Sequence, residues 1–350
     1  MMNIFTRFNQ QTRLRFAQLV TQISLLACSL LINNLVLATT PIRTEAWYQQ
    51  NTIANLQQLD DSINFVVIGD WGRNGHYQQQ AVANQMDNLM YWLDGDFIIS
   101  TGDNFYPNGI SSVNDPYLQT SFEQVYSGPN LFEPWYLTLG NHDYRGSVLA
   151  QIAYTKISQR WNLPERYYSK TFKLENQGDI ASNNNQILIV FLDTSPFEAD
   201  YQTNDKYISV RSQNAEEQLN WMEQQLSSSH AKWKLVVGHH PMYSSGKRFG
   251  KTESIRQTLE DRLEAHQVDA YIAGHEHDLQ HNKVKGKQLH HFISGAGATT
   301  RPVKNRSFTR FAKAESGVMA VSVNSQKLLV QMVNAQGQVI YKTELTAQNK

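Results

Sequence analysis

The chain has 350 residues, 41% of them hydrophobic, and its 31 basic and 31 acidic residues leave a formal charge of zero. This composition excludes an intrinsically disordered chain, and the charge balance argues against nucleic acid or any other long polyanion as partner. The single cysteine, Cys28, excludes a disulfide scaffold, which a chain able to bury this much apolar surface does not need.

In chain order, Arg7, Arg13 and Arg15 precede an uncharged, largely apolar stretch from Phe16 to Ala38. A basic region, an apolar region and the small-residue end Val36-Leu37-Ala38 predict a removed signal peptide over 1–38, hence export to a periplasm or the medium. Gln18, Gln22, Asn33 and Asn34 interrupt the stretch and make it a poor membrane anchor. Leu25-Leu26-Ala27-Cys28 offers a lesser alternative, a lipid anchor, although the apolar run continues past the cysteine. Residues 39–62 are polar and Gln/Asn-rich and read as a leader with at most a short helix.

From residue 63 to 346 strands and helices alternate as one domain. Helical spacing places Val82, Met86, Leu89, Met90 and Leu93 on one face of a helix over 79–93. Ala215, Leu219, Met222 and Leu226 do the same over 212–228, and Ile255, Leu259 and Leu263 mark a third helix. Further strands are expected at 187–192, 289–294, 317–323, 327–333 and 339–345. The expectation is a mixed sheet system with helices outside.

Five apolar runs end in glycine followed by a polar donor. They lead into Gly69-Asp70, Gly102-Asp103-Asn104, Gly140-Asn141-His142-Asp143, Gly238-His239-His240 and Gly274-His275-Glu276-His277. Short apolar runs bounded by glycine read as buried strands, and ligands in α/β sheets bind at the strands' carboxyl ends. The donors Asp70, Asp103, Tyr106, Asn141, His239, His275 and His277 are too many for one ion that also binds water. They suit two ions about 3.5–4 Å apart sharing a carboxylate. With carboxylate, amide, phenol and imidazole but no thiol, the set predicts iron, zinc or manganese. His275 and His277, two residues apart, are expected on one side of an extended backbone. Asp70-Trp71-Gly72 lacks the histidine that many two-metal phosphoesterases place two residues after the first aspartate. Tyr106 supplies a phenol instead, and a phenolate favours a trivalent ion, which points to Fe(III). Asp143 is expected to cap local backbone, His281 either to support the ligands from behind or to lie on the surface, and His290 and His291 to sit in a strand with no part in chemistry.

The chain resembles the purple acid phosphatases, of the small tartrate-resistant acid phosphatase type within the calcineurin-like metallophosphoesterases. The resemblance rests on GDWG at 69–72, GDNFYPNG at 102–109, GNHDY at 140–144, GHHP at 238–241 and GHEHDLQ at 274–280. QIAYTKISQRWN at 151–162 and SGAG at 294–297 add to it. It implies a four-layer α/β/β/α sandwich of two mixed sheets. It also implies that Asp70, Tyr106, His277 and a bridging Asp103 hold Fe(III), while Asn141, His239, His275 and Asp103 hold a divalent iron, zinc or manganese. The implied reaction is acid hydrolysis of phosphate monoesters by a metal-bound hydroxide, on small esters, phosphoproteins or nucleotides. His142 would hydrogen-bond the phosphate or protonate the leaving group. The family usually offers His or Glu in the loop after the fourth motif. Here Ser244-Ser245-Gly246-Lys247-Arg248 stands there, so Lys247 and Arg248 become candidates for phosphate binding, a metal-bound water becomes the second candidate proton donor after His142, and His240 a further one. Alternatives on the same residues are a phosphodiesterase or nucleotide hydrolase, and a non-catalytic metal- or phosphate-binding protein. An inhibitory surface loop is sought in 197–212, read as polar and aromatic-poor.

Overall fold

The computed structural model describes residues 43–174 and 184–347; the expected signal peptide and Cys28 lie outside them. Contacts separate a unit ending at Ala46 from a body spanning Trp47–Lys350, and the following account concerns that body. Among the described residues no helix is long and apolar enough to cross a membrane.

Fourteen strands form two seven-stranded mixed sheets. Six of the first sheet's strands are β1 (Ile63–Ile68), β2 (Phe97–Ser100), β3 (Trp135–Leu137), β12 (Gly317–Val323), β13 (Lys327–Asn334) and β14 (Val339–Thr346). With the two-residue β4 (Trp161–Asn162) they run in the order β14-β13-β12-β1-β2-β3-β4. The second sheet runs β11-β9-β10-β8-β7-β6-β5. Its strands are β5 (Tyr168–Lys173), β6 (Gln186–Phe191), β7 (Trp233–Val237), β8 (Ala270–Ala273), β9 (Leu279–Asn282), β10 (His290–Ser294) and β11 (Thr309–Lys313). β1 to β4 pair in parallel, as do β6, β7, β8 and β10, while the flanking strands pair antiparallel.

Period-two alternation explains the layers. Ile187, Ile189, Phe191, Leu235 and Val237 join a core shared with β1, β2 and β3. Leu188, Val190 and Val236, between them in sequence, pack instead with Leu219, Met222 and Leu226 of α3 (Ala215–Ser228) and Ile255, Leu259 and Leu263 of α4 (Glu253–Ala265). A strand buried on both faces is apolar throughout, as parallel strands between layers must be. Aromatic rings stitch the sheets together: Phe97 of β2 stacks on Phe172 of β5 at 4.4 Å. α1 (Gln79–Leu93) packs Val82, Met86 and Leu89 with the first sheet's strands. These are the two mixed sheets with outer helices that the sequence predicts.

The helix over 79–93 and the late strands fall where expected. The short strands β4, β9 and β11 and the helix α2 (Val148–Tyr154) carry too few periodic residues to be foreseen. Residues 53–62 of the expected leader dock on the body, with Gln57 N donating to Gln331 Oε1 at 3.0 Å and Leu59 N to Ser322 Oγ at 2.9 Å.

Candidate metal centre

Parallel pairing aligns the carboxyl ends of β1, β2 and β3 on one edge and those of β7 and β8 on the facing edge. Hydrogen bonds cross between the sheets there: His239 donates from Nδ1 to Thr101 O at 2.8 Å, and His275 N donates to Asp70 Oδ2 at 2.8 Å. Asp70, Asp103 and His275, each directly after a glycine, have φ of 59°, 52° and 66°. Non-glycine residues rarely adopt this left-handed region, and where they do they cluster at sites of function. Here the turn swings each donor out of its strand's line. Gly274 is required on separate grounds, because a Cβ there would stand 2.6 Å from Asp70 Oδ2.

The donors form two groups sharing one carboxylate. In the first, Tyr106 OH lies 2.8 Å from Asp70 Oδ1, 2.8 Å from Asp103 Oδ2 and 3.2 Å from His277 Nε2. In the second, His239 Nε2 lies 3.4 Å from Asp103 Oδ1, 3.3 Å from Asn141 Oδ1 and 3.1 Å from His275 Nδ1. All seven residues are buried. The expectation that His275 and His277 share one side of extended backbone fails. His275 is left-handed, and the two imidazoles enter different groups.

The arrangement asks for cations. One phenolic proton cannot serve two carboxylate oxygens and an imidazole nitrogen at once. In the second group His239 donates its Nδ1 proton to Thr101 O, so Nε2 faces His275 Nδ1 and two oxygens and offers a lone pair there once a cation displaces its proton. Lone pairs converging at about 3 Å are what a coordination sphere with bonds of roughly 2 Å requires. The histidines are oriented from behind, His277 through Nδ1 to Thr299 Oγ1 at 2.6 Å. Burial, with Asp103 and Asp70 beside it, pushes the Tyr106 phenol well above its usual range, so only a strong Lewis acid would ionise it. Burial opposes a raised His239, but the Asp103 carboxylate prevails and lifts it to about 9.

His142 donates from Nδ1 to Pro107 O at 2.6 Å, which leaves Nε2, 3.9 Å from Asp103 Oδ2, facing the centre. Burial lowers its pKa, opposed by Asp103. His240 is also at the centre, its ring 4.7 Å from that of His275, but both nitrogens are engaged, Nδ1 with Thr194 Oγ1 at 2.8 Å and Nε2 with Tyr201 OH at 3.1 Å. Burial and the neighbouring His239 keep it neutral. The backbone N of Arg248 donates to Glu276 Oε1, and its charge is felt at His240 and His275, whereas Lys247 is exposed. Asp143 caps backbone as expected, accepting from Gly140 N at 2.8 Å and Asn104 N at 3.1 Å.

Sequence reasoning singled out the segment 197–212 but missed its tyrosines. The segment 197–212 brings Tyr201 and Tyr207, stacked at 4.0 Å, to the centre. Tyr207 OH accepts from Arg145 at 3.0 Å and from Asn141 Nδ2 at 3.4 Å. Its two tyrosines are the aromatic signal that a reading by composition passes over. His281 stacks on Phe292 at 4.4 Å and bonds Tyr341 OH at 2.7 Å, a buried packing role rather than the surface position anticipated as one option.

Residues 63–279 match the calcineurin-like phosphoesterase family. The chain is similar to purple acid phosphatase 4 of Arabidopsis thaliana, 36% identical over 327 residues, covering 90% of this chain and 91% of that protein. It is likewise similar to tartrate-resistant acid phosphatase type 5 of Homo sapiens, 33% identical over 306 residues, covering 81% of this chain and 91% of that protein. In fold it is similar to GAP50, the anchor in the inner membrane complex of Plasmodium. That structure has a TM-score of 0.71 at 24% identity, covering 83% of this chain and 90% of that one.

Proposed function

On the premise that this chain belongs to the calcineurin-like phosphoesterases, among the purple acid phosphatases, we propose that it is an exported acid phosphatase hydrolysing small phosphate monoesters. Asp70, Tyr106 and His277 would hold one ion and Asn141, His239 and His275 the other, with Asp103 shared between the two groups. The observation that carries this reading is the Tyr106 hydroxyl, enclosed by Asp70, Asp103 and His277 at 2.8–3.2 Å. A phenolate there favours Fe(III), with iron, zinc or manganese as the divalent neighbour. When bound, such a pair supplies Lewis acidity that makes hydroxide available in acid and neutralises charge on the phosphate.

The chain's own groups do the rest. His142 Nε2 lies 3.9 Å from Asp103 Oδ2, beside the carboxylate that both groups share. With Nδ1 tied to Pro107 O, His142 directs Nε2 at the phosphate or at the leaving oxygen, which it protonates. Arg248 adds positive charge near His240 and His275, and with Lys247 attracts the anionic ester. His240, held by Thr194 and Tyr201, positions the wall behind His239 and His275. The basic, apolar N-terminal stretch 1–38 supports export.

The test is metal analysis and a visible spectrum of the purified protein, with turnover of a nitrophenyl monoester and its bis-ester. The expected result is iron in the centre, a charge-transfer band that disappears in Tyr106→Phe, and preference for the monoester. Zinc alone with no band overturns the ferric assignment, and preference for the diester overturns the substrate class.

A further inference from the structure

Two segments of the second sheet's side carry many cations and no acid. Residues 244–252, after β7, hold Lys247, Arg248 and Lys251. Residues 299–313, which end in β11, hold Arg301, Lys304, Arg306, Arg310 and Lys313, and neither segment contains Asp or Glu. The segments are braced on one another. Lys304 N donates to Ser245 O at 2.7 Å, Ser245 Oγ lies 2.5 Å from Thr309 Oγ1, and the Arg306 guanidinium lies 3.6 Å from the Phe249 ring centre. Acids at the margins are engaged elsewhere, Glu315 with Lys313 at 2.8 Å and Glu253 with Arg256. Apart from Lys313, these cations form no ion pair among the described residues, and Lys247, Lys251, Lys304 and Arg310 are exposed.

Phe249 gives this face a second character. Its ring is 48% exposed between Gly246 and Gly250, and Gly250, at φ 75°, has no atom within 4 Å of where a Cβ would stand. A large ring is thus carried at an open loop tip, between Arg248 and Lys251 in sequence and beneath the Arg306 guanidinium. Cations alone would suit any polyanion. Cations around an exposed aromatic ring are the composition of interfacial segments, whose apolar groups sit at the acyl boundary while basic groups face the headgroups. The chain's formal charge of zero does not oppose such a contact. A lipid surface is felt only within a Debye length, about 10 Å in ordinary salt, so a local patch suffices.

We propose that this face docks the protein on an anionic lipid bilayer, with Phe249 entering the headgroup boundary and the surrounding Lys and Arg facing lipid phosphates. The proposal does not depend on the reaction. Its test is co-sedimentation of the full chain with vesicles of phosphatidylcholine alone and of an equal mixture with phosphatidylglycerol. The wild type is expected to bind the mixed vesicles, to ignore phosphatidylcholine and to be released as salt rises. The triple variant Lys251→Gln, Lys304→Gln, Arg310→Gln changes only exposed side chains, and its partitioning is expected to weaken about a hundredfold, roughly fivefold for each cation removed. In Phe249→Trp, which keeps an aromatic ring at the tip, the added indole emission shifts to the blue on mixed vesicles and is quenched by brominated acyl chains. Absence of binding to mixed vesicles overturns the proposal. An indole that senses no lipid, or a triple variant that binds as the wild type does, also overturns it and places the contact elsewhere, such as residues 1–38. Binding to polyglutamate in place of vesicles overturns it in favour of an acidic polymer.

Discussion

The two sheets contribute different chemistry to the centre. The first sheet's strand ends carry the candidate oxygen ligands, Asp70, Asp103, Tyr106 and Asn141; the second sheet's carry the candidate imidazole ligands, His239, His275 and His277. Neither edge alone makes a complete site, because each donor group draws on both sheets. The oxygen edge is the more constrained. Behind it Trp71 is buried, donates from Nε1 to Ser100 Oγ at 2.9 Å and packs on Phe105, Tyr126 and Trp135. The imidazole edge is aimed by hydrogen bonds reaching across to the other sheet, such as His239 to Thr101 O. Function therefore depends on the packing between sheets as much as on the ligands.

The sharpest way to break that division is Asp103→Asn, which weakens both groups through one side chain. The expected loss is on the order of a thousandfold in kcat/KM, with depletion of metal on analysis. Retention of two equivalents of metal and normal turnover would show that the oxygen edge is not shared.

Next comes the seam itself. Asp193, after β6 of the second sheet, accepts from Tyr144 OH, which follows β3 of the first. Burial raises its carboxyl to about 6, partly offset by the Tyr144 hydrogen bond. The folded state therefore holds the proton more tightly than the unfolded chain. The stability so gained is fully present below about pH 4 and is lost as pH rises through about 6, up to roughly 3 kcal/mol. Buried His281 and His291, lowered to about 3, and His290, lowered to about 4, act oppositely, losing stability as pH falls below their unfolded value. Comparing denaturant midpoints of wild type and Asp193→Asn at each pH cancels the histidines. Wild-type stability should fall relative to Asp193→Asn by up to roughly 3 kcal/mol between about pH 4 and pH 7, and a pH-independent difference would refute the assignment.

At the boundary of the two edges, His142→Asn is expected to lower kcat about a hundredfold while leaving metal content unchanged. An effect confined to KM would reduce His142 to phosphate binding. The smallest effect belongs to the cover: Tyr207→Phe removes the acceptor for Arg145 and Asn141 and is expected to raise KM about threefold to tenfold. No change would mean that the 197–212 segment does not order the imidazole side.

The legible part of this molecule was whatever a local pattern encodes. Gly-terminated apolar runs led to the seven residues that the fold brings together, and the 3.6-residue period placed α1 and α4. What stayed hidden depends on tertiary structure. The left-handed turn at His275 separates it from His277, and no spacing rule announces that. The tyrosines of the cover matter only because folding brings 201 and 207 to residues 240, 145 and 141. The cationic face around Phe249 is likewise assembled from distant segments, 244–252 and 299–313.

Asp103 has one further consequence. A side chain with one oxygen in each group makes the two sites thermodynamically linked. A cation that takes up Oδ2 withdraws charge from Oδ1 and, by fixing the carboxylate, removes an entropic cost from the second event. By reciprocity, whatever the first ion does to the affinity for the second, the second does to the first. Loading of two ions there would thus be a coupled property of the pair, and removing either would change the grip on its neighbour.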